Sequence, residues 1–295
     1  MTTPTATEIA PVTSTLEAPG AVLTYDVRPS DAPGHRPLLL IASPMGAAGL
    51  GTLARHFTDR TVITYDPRGV ERSTKDDPTS RSTPEQHADD LHRIIAALGL
   101  GPVDLFATSG GAVNALALIA AHPDDVATLV AHEPPLAGLV PDREYALAAC
   151  QAAADAYQQR GFGAGMAWFI SLVSHEGSFT PEMAAAGPDP AMFGMPTEDD
   201  GSRTDPLLGQ NLITSTHYRP DIERLERAST HIVIAVGEES GTQLARRGGE
   251  AVAAQLGLTP VIFPSDHGGF LGGEYGQTGD PDAFAAKLHE VLDAA

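Results

Sequence analysis

The chain has 295 residues, 42% of them hydrophobic, and a formal net charge of −20, which suits one large domain or one domain carrying an insertion. The acidity excludes a binder of the nucleic-acid backbone, which needs clustered Lys and Arg, and opposes docking to anionic lipid. A single cysteine, Cys150, excludes an intrachain disulfide framework and a Cys-based metal site.

Residues 1–20 are rich in Thr, Pro and Ala, with no basic start followed by an apolar stretch. They are expected to form a flexible tail rather than a secretory signal. No segment reaches the ~18 uninterrupted apolar residues of a membrane span, and a cytoplasmic location is the expectation. Beyond the tail, Leu38-Leu-Leu-Ile-Ala42 is a continuous apolar run, as in a strand buried on both faces. Residues 61–65, β-branched and ended by Asp66-Pro67, predict a second strand. Residues 84–98 predict a helix: Leu91, Ile94, Ile95 and Leu98 recur at spacings of three and four. Thr83-Pro84-Glu85-Gln86 supplies an N-cap, a first-turn proline and a capping-box Gln, with Gly99 as the stop. Strands at 103–107, 127–131, 231–236 and 260–263 alternate with helices at 110–121, 242–256 and 281–294. That alternation predicts an α/β fold with a mostly parallel central sheet and helices on both faces. Residues 137–215 break the rhythm with helical stretches at about 142–160 and 162–174, then a Pro/Gly/Asp-rich loop. They are expected to form a helical cap inserted between two sheet strands, leaving 21–136 and 216–295 as the core domain.

The chemistry concentrates at strand ends. In Leu105-Phe-Ala-Thr-Ser109-Gly-Gly-Ala112 an apolar strand runs into a serine and then into glycines that open a helix. This matches the nucleophile elbow Gly-x-Ser-x-Gly, with Ala107 in the first small position and Gly111 in the last. The serine sits on a tight turn whose neighbours two before and two after are expected to crowd one another. After the last strand comes Phe263-Pro-Ser-Asp-His267-Gly-Gly-Phe270, where a base could reach the serine. The other histidines considered (His35, His56, His87, His92, His122 and His289) are read as surface residues. No His/carboxylate cluster shows metal-ligand spacing, so neither metal nor cofactor is expected.

With these motifs, residues 22–294 resemble the α/β-hydrolase superfamily. Ser43-Pro-Met-Gly46 stands where the family usually has His-Gly before an oxyanion residue. Asp66-Pro-Arg-Gly-Val-Glu-Arg-Ser73 resembles its Asp-x-Arg-Gly-x-Gly-x-Ser loop, with Glu71 in place of the second glycine. His132-Glu-Pro-Pro135 follows the strand before the cap, as in many bacterial members. The resemblance implies Ser109 as nucleophile, His267 as base, and an oxyanion hole from the backbone N–H groups of Met45 and Gly110. The family's usual acid would fall at Ser240, which carries no carboxylate. Glu133 is therefore preferred as the acid, with Glu239 and, less so, Glu238 as alternatives. Met166, Trp168 and Phe169 in the cap are either packing or an apolar wall of the substrate pocket.

The expected activity is cofactor-free hydrolysis of a small to medium, fairly apolar carboxylic ester, thioester or lactone. Carbon–carbon bond hydrolysis, perhydrolysis, or non-catalytic small-molecule binding are the alternatives. The expected partner is a small-molecule substrate, with a homodimer left open and neither nucleic acid nor membrane involved.

Overall fold

A computed structural model describes residues 10–30, 34–184 and 187–295. In chain order its strands and helices are β1 (Val12–Ala18), β2 (Ala21–Arg28), β3 (Leu38–Ser43), α1 (Gly51–Arg55), β4 (Val62–Asp66), β5 (Thr74–Lys75), α2 (Pro84–Leu98), β6 (Val103–Ser109), α3 (Gly110–Ala121), β7 (Val126–His132), α4 (Arg143–Arg160), α5 (Phe162–Val173), α6 (Leu212–Thr216), α7 (Ile222–Arg227), β8 (His231–Gly237), α8 (Leu244–Gln255), β9 (Val261–Phe263) and α9 (Pro281–Asp293). The sheet order is β1-β2-β4-β3-β6-β7-β8-β9, with β5 beside β2. The contacts from β4 to β9 are parallel, whereas β1, β2 and β5 pair antiparallel at one edge.

The two-residue period of β3 shows why its sequence carries no polar face. Leu39 and Ile41 join Leu105, Ala107, Leu129 and the apolar stripe of α2 and α3 on one side. Leu38, Leu40 and Ala42 join Phe106, Val130 and the inner faces of α1 and α9 on the other. Each fully buried Leu or Ile removes enough apolar surface to favour folding by roughly 1.5–3 kcal/mol. α2 starts as its sequence predicts: the Gln86 N–H donates to the Thr83 hydroxyl (3.3 Å) and Gln86 Oε1 accepts from the Thr83 N–H (3.0 Å). It ends at Gly99, whose φ of 61° lies in the left-handed region.

The expected tail needs correction. Val12–Ala18 is an edge strand paired in full register with Ala21–Val27. Its Thr-rich run reads as a polar linker because nearly all of it faces solvent, yet β-branched residues favour the pleat. Residues 1–9 lie outside the described residues. Between β7 and β8 the described residues hold no strand. α4 and α5 pack against each other with an apolar core of their own that includes Ala146, Ala153, Tyr157, Trp168 and Leu208.

Candidate active site

β3, β6, β7, β8 and β9 are consecutive neighbours and all point the same way, so their carboxyl ends share one rim. Ser43 is level with Ser109, and Thr108 with His132. Ser109 is the last residue of β6 and the residue before α3, with φ 57° and ψ −130°. Such a backbone costs a non-glycine residue about 1–3 kcal/mol. It lifts the side chain out of the strand at the start of a helix, half-exposed, and among the described residues its hydroxyl makes no hydrogen bond. The following glycines are dictated by β3 rather than by Ala107. A Cβ on Gly110 would lie 2.6 Å from the Ser43 carbonyl oxygen, and one on Gly111 2.8 Å from Ala42 Cα. Without side chains at both positions, α3 can start directly against β3.

His267 Nδ1 lies 2.6 Å from Glu133 Oε2. Glu133 follows β7, has φ 49°, and is fully buried. Its other oxygen accepts the Gly237 N–H at 2.8 Å, and its own N–H donates to Ala235 O at 3.0 Å. Both carboxylate oxygens are therefore engaged. Burial by itself would raise this carboxyl's pKa, but the His267 contact, the neighbouring imidazoles and the Gly237 N–H together hold it well below the usual range. A carboxylate held ionised beside Nδ1 fixes the proton there and leaves Nε2 as the lone-pair nitrogen. Glu238 and Glu239 are exposed, and only their backbone N–H groups hold the loop, on Phe263 O and Ser265 O. Ser240, at the family's usual acid position, is buried with its hydroxyl unpartnered among the described residues. The structure thus brings Glu133, and neither Glu239 nor Glu238, to His267.

Two groups here escaped sequence reading. His132 is fully buried among Phe106, Phe263 and Phe284, with Nδ1 3.0 Å from the Thr108 hydroxyl and its ring facing that of His267. Burial pushes its pKa down to about 4, so it is neutral beside the candidate base. Ser215 on α6 is buried, and its hydroxyl oxygen would lie 3.3 Å from a Cβ on Gly110. The segment between β7 and β8 therefore reaches back over the start of α3. Ser215 belongs to no local motif. His132 is signalled by its place at the end of an apolar strand, at the head of the His132-Glu-Pro-Pro135 run, which announces its position and not its burial.

The loop carrying Met45 is held from below. Asp66 Oδ1 accepts the Ala47 N–H (2.8 Å) and Oδ2 accepts from Arg72 Nε (2.6 Å). Buried Arg68 makes a two-pronged contact with buried Asp90 on α2, at 2.7 and 2.6 Å. Glu71 folds against Gly46 and accepts from the Tyr275 hydroxyl at 3.2 Å. Met45 itself is half-buried, and its side chain lies against Gly49. Trp168 is buried in the α4–α5 core, with Met166 and Phe169 half-buried on the same cluster. These three pack within the helical segment, and their described contacts do not reach Ser109.

Most of the remaining histidines are half-buried, but His87 overturns its surface reading. It is buried, with Nε2 2.8 Å from Asn211 Oδ1, and burial lowers its pKa to about 4. It lies four residues before Leu91 on the apolar stripe of α2, so the spacing that predicts the helix also carries this signal.

A sheet of this order, with a strained serine between strand and helix and an imidazole–carboxylate pair beyond later strands, defines a hydrolase of the α/β class. The chain has the α/β-hydrolase fold. A family model for the alpha/beta hydrolase fold matches residues 48–180. The uncharacterized hydrolase YraK of Bacillus subtilis is 29% identical over 286 residues, 95% of each chain. Among solved structures, a thermophilic esterase from Thermogutta terrifontis superposes with a TM-score of 0.66 at 19% identity, covering 97% of this chain and 98% of its own. The enol-lactonase from Burkholderia xenovorans LB400 gives 0.64 at 16% identity, covering 95% and 100%. Among the described residues no helix is long and apolar enough to cross a membrane.

Proposed function

We propose that the protein is a serine hydrolase acting on a small to medium, fairly apolar carboxylic ester, thioester or lactone, with Ser109 as nucleophile, His267 as base and Glu133 as acid. The observation that carries this reading is the 2.6 Å contact between buried Glu133 and His267 Nδ1, on the strand-end rim that also holds strained Ser109. His267 Nε2 takes the Ser109 proton as Oγ attacks the carbonyl carbon, and Glu133 stabilises the imidazolium. The N–H groups of Met45 and Gly110 receive the oxyanion; removing one such donor costs about 10²–10³ in rate. His267 then protonates the leaving alcohol, thiol or ring oxygen. Water, activated by the same imidazole, releases the acid and restores Ser109. The triad and two backbone donors supply every proton and charge this sequence needs, so no cofactor enters it.

Residues 137–215 act as a cap that sets substrate size, a role supported by the approach of Ser215 to Gly110. The esterase and enol-lactonase among the structural relatives agree with the proposed substrate classes. Labelling with a fluorophosphonate, followed by peptide mapping, tests the nucleophile. Ser109 should be modified in the folded wild type and not in Ser109→Ala, which should lose hydrolysis of short p-nitrophenyl esters while staying folded. A folded wild type that neither labels nor turns over such esters sinks the enzyme reading and leaves the binding-protein alternative. Ready cleavage of a vinylogous diketone with poor ester turnover points instead to carbon–carbon hydrolysis.

A further inference from the structure

We infer that His92, His122 and Asp125 form a binding site for one divalent cation of the zinc, cobalt or nickel kind, at the opposite end of α3 from Ser109. One ligand atom from each lies within 4.8 Å of the others. Sequence spacing hides the group: His92 lies on α2, and His122 and Asp125 belong to the turn between α3 and β7, so only the packing of α2 on α3 assembles it. His92 Nδ1 lies 2.6 Å from Asp125 Oδ2. The His92 and His122 rings are parallel, with centroids 3.8 Å apart and planes 8° apart. Two imidazoles and one carboxylate are a donor set that favours borderline metals over Mg²⁺ or Ca²⁺, which take mainly oxygen.

The surroundings suit a cation. All three residues are half-buried, accessible without being loose. A cleft of about 450 Å³ opens beside the two histidines, lined also by Glu17, Asp89 and Arg93. Arg93 is held by Asp89 at 2.7 Å, while the Glu17 side chain makes no hydrogen bond or ion pair among the described residues. The cleft has room for the waters that would complete the coordination shell, and the net charge of −20 raises the local cation concentration. In-plane lone pairs of stacked rings cannot meet at one ion, so loading turns one ring out of the stack. That is a side-chain rotation requiring no change in α2 or α3. α3 has 12 residues, which places the site about 18 Å from the nucleophile. The ion would clamp α2 to the end of α3 and take no part in acyl transfer.

The test uses full-length, tag-free protein stripped with a chelator and titrated with Zn²⁺ by calorimetry and with Co²⁺ by visible absorption. One saturable Zn²⁺ per chain, a Co²⁺ d–d spectrum of nitrogen-rich coordination, and a melting temperature that rises with Zn²⁺ concentration are expected. His92→Gln and His122→Gln should each abolish the stoichiometric site, and Asp125→Asn should weaken it by ~10–100-fold. Ester hydrolysis or fluorophosphonate labelling at Ser109 should be unchanged in all three. Circular dichroism confirms that each variant is folded. The inference is overturned if the wild type takes up no stoichiometric ion, or if variants of all three residues bind as the wild type does.

Discussion

At the scale of single residues, the acid is the sharpest prediction. Glu133→Gln keeps the size of the side chain but removes the charge that fixes the His267 tautomer. It should lower kcat by about 10³–10⁴ with little change in KM. Glu239→Gln, altering an exposed side chain away from His267, should leave kcat near wild type. The reverse result, by steady-state kinetics on one ester, would place the acid on the β8 loop. His87 and His132 give a second prediction, in stability. Their folded pKa values are lowered to about 4 by burial, whereas the unfolded chain binds these protons near pH 6.5. Between those limits the unfolded state holds more protons. Unfolding free energy therefore falls as pH drops from 6.5 to 4, by about 1.4 kcal/mol per pH unit for each histidine, and these groups add no further loss below that. Urea midpoints measured across the window should show the slope, and His87→Gln should remove one proton's share of it. Ser109 and His267 were legible because each closes an apolar run with glycines at fixed offsets. The proposed acid, Glu133, was less so, because its fitness depends on the Gly237 N–H, 104 residues away, which no spacing announces.

At the scale of elements, the α2 start and the elbow are separable. Thr83→Ala removes the hydroxyl that accepts Gln86 N–H and should cost about 1 kcal/mol of stability, with activity unchanged. Gly111→Ala should harm both, since the new methyl meets the Ala42 backbone and can be housed only by moving α3 away from β3. Chemical denaturation beside fluorophosphonate labelling distinguishes the two variants. Buried strands were legible as unbroken apolar runs, and helices with caps were legible to within a residue or two. β1 and β2 were not recognised, because an edge pair half in solvent carries polar residues at positions a central strand fills with Leu or Val. α6, five residues long after a π-helical turn at Pro206–Asn211, is too short for periodicity to register.

At the scale of the molecule, polar ties fasten the helical segment to the core on two sides: Gln210, Asn211 and Thr214 bond to Lys75, Ser82 and His87, and a second set joins the segment to α8 and the loop before it. Arg247 on α8 meets Asp142 before α4 and donates to Gly177 O (2.7 Å). Glu176 accepts from the Thr242 N–H and hydroxyl. If the segment caps the substrate, Arg247→Ala should raise KM several-fold, leave kcat nearly unchanged, and speed amide exchange in α4 and α5.

The left-handed backbones have a consequence for heating. Glu71, Ser109, Glu133 and Ser265 are non-glycine residues at positive φ, and all stand beyond carboxyl ends of strands on one side of the sheet. Among the described residues, conformational tension is thus concentrated at the end that carries the proposed triad, and no non-glycine residue at the opposite end has positive φ. Loops bearing such tension open at lower cost than the strands beneath them. Catalysis should therefore fail several degrees before the protein melts, reversibly at first. Activity assayed at temperature, set beside a calorimetric melt of the same sample, measures that gap; coincident midpoints would mean the tension is fully compensated by the packing around it.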